Sequence, residues 1–466
     1  MTQILLGQSY YLRFDPKLWE AMQPYPPLGT MYAASWLREH GYEVALFDAM
    51  LAGSEEEWAI ALDQHQPQYA VLYEDNFNYL SKMCLLRMRE AAFKMIAMAK
   101  ERGCTVILCG ADATDHYMDY LAHGADYCLL GEGEETLIEL LSRLSAGQDA
   151  ANIIGVATQH SSHISRRPDM TDLDKLPFPA WDLVDVQKYK QIWIERHGYF
   201  SMNVVTTRGC PYHCNWCAKP IWGQRYNSRS PENVAAEIKW LKETYAPDHI
   251  WFADDILGLK PKWIERFAKL LKESNAVIPF KCLQRADLIN EKTAAALAAA
   301  GCKTVWLGAE SGSQKILDAM DKGDTVADIY RAAQLLHVQR MEVGFFLQFG
   351  YPGETWQDVQ KTLQMVRDCS PDDMGISVSY PLPGTKFFER VKLELGEKQN
   401  WTDSQDLAML YRGPFPTEFY RILHGRVHYE FRARRALRQP SLRAVASIPR
   451  NLFGILRSEF QLRRYL

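Results

Sequence analysis

The chain has 466 residues, enough for about two to four domains that each bury a core, and its 47% apolar and 24% charged residues fit a globular protein. The net charge of −4 hides an asymmetry: from Arg421 to Leu466 eleven Arg face only Glu430 and Glu459, so this tail carries +9 and the rest −13. With basic charge confined to one end and no RNA-binding motif, a nucleic-acid partner is not expected.

Residues 1–6 lack a basic stretch followed by a long apolar core and read as a first strand rather than a signal peptide. No uncharged apolar run approaches about 18 residues, which excludes an obvious transmembrane helix. Residues 1–150 alternate short apolar runs with helical patterns, with strands expected at 3–7, 43–47, 69–73, 105–109 and 127–130. Such units make an α/β, doubly wound, Rossmann-like domain, whose ligand crevice lies beyond the carboxyl ends of the strands. Loops 7–11, 48–51, 74–78, 110–115 and 131–134 would line it. Residues 151–199 are looser, and the proline-rich, aromatic stretch 172–181 reads as an ordered linker.

Residues 200–390 repeat strand and helix, with strands expected at 203–207, 249–253, 280–283, 304–308, 342–349 and 374–380. A helix over 231–243 has Ser230 as N-cap and Pro231 at its first position. Periodicity alone does not separate a partial (β/α)6 barrel from a second open sheet. After the first of these strands comes Arg208-Gly209-Cys210-Pro211-Tyr212-His213-Cys214-Asn215-Trp216-Cys217, three cysteines at C-x3-C-x2-C spacing. A structural zinc site normally closes with four protein ligands, so a compact trio argues for a soft cluster with one open corner. His213 as a fourth ligand and three unrelated buried thiols are the competing readings. The other cysteines, 84, 104, 109, 128, 282, 302 and 369, sit mostly in apolar runs and read as reduced core thiols of a cytoplasmic protein.

Residues 391–466 are helical, aromatic and rich in Arg. Within 441–464, Leu, Ile, Val and Phe alternate with spaced Arg, interrupted by Pro440, Pro449 and Gly454 in and beside the stretch. A basic amphipathic helix can lie peripherally on an anionic membrane surface, and such a segment can equally pack on its own protein.

The cysteine motif with Trp216 before its last Cys resembles the radical S-adenosylmethionine (SAM) superfamily. Thr207-Arg208-Gly209-Cys210-Pro211 and Arg225-Tyr226-Asn227-Ser228-Arg229-Ser230-Pro231 resemble the branch with an N-terminal cobalamin-binding domain, which includes the anaerobic Mg-protoporphyrin monomethyl ester cyclase and hopanoid methylases. The resemblance implies four regions: 1–150 cobalamin-binding, 151–199 linker, 200–390 a partial (β/α)6 radical SAM barrel, and 391–466 a helical tail outside the family's motifs. It implies a [4Fe–4S] cluster on Cys210, Cys214 and Cys217, with SAM at the fourth iron.

SAM contacts implied by the family's elements are Trp216, Asp254 and Asp255, Arg285 as a planar fork for the carboxylate, Glu310 and Ser311 of a G-x-E-S-G element, and Gly350 and Gly353 of a G-x-P-G-E-T turn. The loops holding Gly110, Asp112 and Thr114, and Gly131, Glu132, Gly133 and Glu134, resemble cobalamin-binding loops; ordinary tight turns are the alternative reading. Many relatives have His where this chain has Asp112, which implies a corrinoid without a histidine lower ligand.

The implied activity is reductive SAM cleavage to a 5′-deoxyadenosyl radical that takes hydrogen from an unactivated carbon, followed by cobalamin-dependent C-methylation of a small-molecule, hydrophobic substrate. Oxidative cyclisation or rearrangement without methyl transfer is the alternative enzyme, and a non-catalytic cobalamin or redox sensor the alternative of another class. Flavodoxin or ferredoxin is the kind of electron donor implied.

Overall fold

The computed structural model describes residues 3–83, 85–150, 152–161, 164–217 and 221–466. The first sheet contains β1 (Ile4–Gly7), β2 (Val44–Leu46), β3 (Tyr69–Tyr73), β4 (Thr105–Cys109), β5 (Tyr127–Leu129) and β6 (Val156–Ala157) in the order β2-β1-β3-β4-β5-β6. All pairs are parallel except β5–β6. Every residue of β3 is buried, as expected of a central strand covered on both faces. The order reverses between β1 and β3, which opens a crevice at their carboxyl ends.

The second sheet begins at β7 (Ser201–Val204). A two-stranded antiparallel ribbon follows, β8 (Thr207–Arg208) with β9 (Asn227–Ser228). The sheet continues through β10 (His249–Phe252), β11 (Phe280–Gln284), β12 (Cys302–Glu310), β13 (Glu342–Phe349) and β14 (Asp373–Val378). Its order, β14-β13-β12-β11-β10-β7, is sequential and parallel throughout. Sequential right-handed crossovers put the helices on one face, so the sheet curls into a half-barrel with a lumen. The alternation follows: Ile250, Phe252, Phe280 and Cys282 are buried toward the helices, whereas Trp251, Lys281 and Leu283 are half-buried on the other face.

The expected strands fall within a few residues of these elements, and the ribbon and β6 are additional. The segment between the sheets holds a helix, Val186–His197, N-capped by Asp185 and ended by Gly198 in the left-handed region. Its fully buried Trp193 donates from Nε1 to the Pro24 carbonyl (2.8 Å), which fastens this segment to the first sheet's loops. Six scattered cysteines, 104, 109, 128, 282, 302 and 369, are buried and not disulfide-bonded; Cys84 lies outside the described residues.

The tail forms two helices, Thr417–Arg438 and Leu442–Leu462. The second runs through Pro449 and Gly454, which correct the expected interruptions. Pro449 lies in the helix interior, where it has no N–H to give the Val445 carbonyl, so packing against the helix Thr417–Arg438 carries the helix through it; Gly454 gives the close approach to the Tyr429 ring, where a Cβ would lie 2.6 Å from Cδ2. Glu430 accepts from Arg367 Nε (2.6 Å), which ties the tail to the half-barrel, and from Arg426 Nη1 (2.9 Å) within its own helix. No helix among the described residues is long and apolar enough to cross a membrane.

Candidate active site

The cysteine loop hangs from the β8–β9 ribbon. Gly209 has φ 78°, and a Cβ there would lie 2.4 Å from the Arg225 carbonyl oxygen, so the turn into Cys210 requires glycine. Just before it, the buried Arg208 guanidinium donates to Glu132 Oε1 (3.0 Å) and Glu134 Oε1 (2.5 Å) of the loop after β5. The base of the loop is thereby clamped to the first sheet. Asn215 fixes the far side: its Nδ2 donates to the Ala319 carbonyl (2.8 Å) and Asp321 (3.1 Å), and its Oδ1 accepts from Tyr351 (2.7 Å).

Cys210, Cys214 and Cys217 are half-buried on this loop. Arg285 Nη1 lies 3.8 Å from Cys214 Sγ, and the guanidinium stacks over Tyr212 at 3.7 Å. Lys82, whose Nζ is 3.0 Å from Asp255 Oδ1, approaches Cys217 from the first sheet. Among the described residues no three His, Cys, Asp or Glu are gathered tightly enough to grip a single metal ion. Three thiols beside two cationic side chains have the donor chemistry for an anionic thiolate cluster. Trp216 packs beside Ile316, Tyr351 and Phe387, and its Nε1 is buried with no hydrogen-bond partner among the described residues.

The other expected SAM contacts are gathered at the carboxyl ends of the half-barrel strands, in unequal states. Asp254 is engaged: it accepts from Thr206 N–H (2.8 Å) and the hydroxyls of Thr206 (3.1 Å) and Thr207 (2.7 Å), and burial raises its pKa to about 6. The Arg285 fork is partly occupied by Asp287 (Nε to Oδ1, 3.0 Å) and the Lys322 carbonyl (2.8 Å). Ser311 is fully buried, bonded to Thr362 Oγ1 (3.2 Å) and the Ser313 N–H (3.1 Å).

Glu310 is different. It sits in the left-handed region at φ 56°, at a register shift where β12 pairs with β13, and burial raises its carboxyl to about pKa 7. Strain of this kind persists where the surroundings hold it, often at functional sites. Buried Lys322, paired with Asp324 at 3.2 Å, faces it electrostatically; neither residue belongs to a motif that would have singled it out. Gly350 donates its N–H to Glu354 (2.7 Å), and Gly353 has open space around its Cα.

On the first sheet, Asp112 is buried against Arg89 (2.6 and 2.7 Å) and Tyr120 (2.5 Å). Thr114 accepts the Gly131 N–H (3.1 Å). A Cβ on Gly110 would lie 2.7 Å from Glu74 Cβ, and one on Gly133 2.4 Å from Cys109 Sγ, so both glycines are required by packing inside the domain. The side chains of Asp112, Glu132 and Glu134 are thus engaged in ion pairs, and a flat ligand would meet these loops through backbone. His116 Nε2 is buried with no hydrogen-bond partner among the described residues, 3.8 Å from Asp112 Oδ1.

Between the β1 and β3 ends and the half-barrel lumen lies a cavity of about 230 Å³, lined by Tyr10, Tyr25, Phe77, Tyr79, Trp251 and Lys281 among others. It joins the first sheet's crevice to the half-barrel.

Residues 204–366 match the radical SAM superfamily model. The chain carries a radical SAM domain. Three similar proteins extend that likeness over most of the chain. An uncharacterized methyltransferase of Pyrococcus horikoshii, PH0819, is 31% identical over 271 residues, 57% of this chain and 57% of that protein. The anaerobic magnesium-protoporphyrin IX monomethyl ester cyclase of Rubrivivax gelatinosus is 26% identical over 80% of this chain and 67% of its own length. The radical SAM methyltransferase TsrM from Kitasatospora setae, solved with cobalamin and a [4Fe–4S] cluster, superposes with a TM-score of 0.68 at 20% identity, over 84% of this chain and 77% of TsrM. The chain therefore spans little more than half of PH0819, and the radical SAM domain with its preceding sheet has the fold of TsrM.

Proposed function

We propose that this chain is a radical SAM enzyme in which Cys210, Cys214 and Cys217 hold a [4Fe–4S] cluster, SAM takes the open iron, and a corrinoid lies in the crevice at the β1 and β3 ends. Its reaction is C-methylation of an unactivated carbon in a small molecule. When bound, these groups supply a carbon-centred radical and a transferable methyl group.

One observation carries the reading: the cysteine loop is fastened to both sheets, by Arg208 on one side and Asn215 on the other, so the cluster-binding loop and the crevice are held in fixed relation. Arg285 and Lys82 offset thiolate charge, and Glu310 with Lys322 gives SAM's amine and carboxylate polar partners at the strand ends. The aromatic cavity walls exclude water from the reacting centre. The cyclase relative favours oxidative cyclisation as the second reading.

Turnover of an anaerobically reconstituted chain with methyl-labelled SAM and extracts of the native host distinguishes these. Label in product supports methylation; 5′-deoxyadenosine without label in product favours cyclisation; neither, with the cluster intact, favours a sensor.

We further infer that the tail contacts an anionic membrane surface. The helix Leu442–Leu462 turns Asn451, Gly454 and Ser458 inward and exposes Leu442, Leu452, Phe453, Leu456 and Phe460, with Leu442 94% and Leu456 71% exposed. Arg443, Arg450, Arg457 and Arg464 recur every seven residues beside this apolar stripe. Exposed Leu and Phe flanked by Arg suit an interface of acyl chains and anionic headgroups. Co-sedimentation with phosphatidylcholine vesicles containing one-quarter phosphatidylglycerol, and loss of it in Phe453→Ser/Leu456→Ser, supports this; equal sedimentation with and without vesicles refutes it.

A further inference from the structure

The lumen wall of the half-barrel has a layered pattern that the expected cluster, SAM and corrinoid contacts do not include. Register fixes it in layers: Asn203 lies beside Trp251 and Trp251 beside Lys281, while one step along, Leu283 lies beside Trp306 and Trp306 beside Gly344. Phe346 and Gly375 pair in the next layer.

The Trp306 and Phe346 rings stack at 4.7 Å and 29°. They lie flat on the sheet because their neighbours are glycines: a Cβ on Gly344 would lie 2.4 Å from Trp306 Cδ2, and one on Gly375 3.2 Å from Phe346 Cδ1. Phe346 remains 39% exposed although it faces the lumen. An aromatic face laid open inside a fold is a surface made for contact.

Lys281 is the cation among the described residues that line the cavity, and it has no salt-bridge partner among the described residues. Its Nζ lies 5.2 Å from the Trp251 ring and 5.5 Å from the Tyr25 ring. Asp75, the acid in the same lining, accepts instead from the N–H groups of Gly29 (3.0 Å) and Phe77 (3.2 Å). Asp373 on β14 is the nearby acid that favours the ammonium, and His249, held to Ser201 at 2.9 Å, is neutral because burial lowers its pKa to about 3. Burial lowers Lys281 itself to about 8. A charged amine so desolvated, with Asp373 acting on it only from beyond salt-bridge distance among the described residues, gains most from an anionic ligand group.

We propose that this wall is the substrate subsite, and that the substrate combines a flat apolar or aromatic body, laid on Trp306 and Phe346, with an acidic group held by Lys281. This deepens the radical SAM reading and rests on it for the reaction, while binding itself needs no cluster, SAM or corrinoid.

The test is therefore equilibrium binding to the full chain of naphthylacetate and its uncharged counterpart naphthylethanol, followed by calorimetry. The acid is expected to bind about ten-fold more tightly than the alcohol. Lys281→Met should abolish that preference, Lys281→Arg should retain it, and Trp306→Ala should weaken both ligands alike, with unfolding temperatures checked for each variant. Equal binding of acid and alcohol to the unaltered chain, or undiminished acid preference in Lys281→Met, would overturn the proposal. Because 5′-deoxyadenosine formation is measured separately, failure of this subsite leaves the radical SAM reading to stand or fall on its own assay.

Discussion

Arg208, two residues before the first motif cysteine, and Glu134, on the loop after β5, form a buried ion pair at 2.5 Å that joins the cysteine loop to the first sheet. Glu132 completes the pair at 3.0 Å. Burial would raise both carboxyls and lower the guanidinium; their mutual charges oppose that, and the Arg208 pKa is raised.

Removing one partner of such a cluster leaves an uncompensated buried charge, at a cost of about 3–5 kcal/mol. Arg208→Ala should therefore lower the unfolding temperature markedly. Adding Glu132→Gln and Glu134→Gln should restore part of it. If the single variant unfolds like the original chain, the clamp is not a stabilising contact.

Gly209→Ala addresses the turn alone. The substitution meets both a left-handed φ of 78° and the Arg225 carbonyl, so the loop must shift while the two sheets keep their cores. The expected result is less than half the iron retained after anaerobic reconstitution, with far-ultraviolet circular dichroism unchanged. Full iron retention would show that the turn tolerates the methyl group.

Asn215→Ala removes two donated hydrogen bonds and the acceptor for Tyr351 on the other side of the loop. At about 1 kcal/mol for each bond, more where a partner stays buried and unpaired, the loss should total about 2–4 kcal/mol. Denaturant unfolding measures it, and iron release under chelator should quicken in parallel.

Glu354 gives a pH signature. Burial raises its carboxyl to about pKa 8, against which the Gly350 N–H acts only partly. The folded pKa exceeds the unfolded value of about 4.3, so the folded state holds the proton longer; the contribution is full below about pH 4 and is lost as pH rises toward 8. Buried Glu74 and Glu310, both raised to about 7 by burial, act in the same direction. Unfolding temperature should fall between pH 5.5 and 8.5, and fall less in Glu354→Gln; an identical fall in both would contradict the assignment.

Strand positions were legible in the sequence because the sheets are mostly parallel, so their strands are short, largely apolar runs set between helical patterns. The cysteine motif and the strand-end residues Arg285 and Glu310 were legible because their chemistry is local in sequence. What holds them was not: Glu132 and Glu134 read as residues of a cobalamin-binding loop, and their side chains engage Arg208 from 76 and 74 positions away. Asp254 read as a ligand group, yet is engaged by Thr206 and Thr207. Lys281 carried no motif at all. Its distinction comes from facing a lumen, which only the register of β10, β11 and β12 defines. Pro449 read as a breaker because local propensity cannot register the packing of the helix Leu442–Leu462 on its neighbour.

The most direct test of the central claim is 5′-deoxyadenosine formation by the anaerobically reconstituted full chain with SAM and a chemical reductant, compared with Cys210→Ala, Cys214→Ala and Cys217→Ala, with iron and sulfide measured on the same samples. About four irons and four sulfides per chain with steady 5′-deoxyadenosine release are expected, with loss of cluster or cleavage in every cysteine variant. Undiminished cleavage in any one of those variants would contradict the claim.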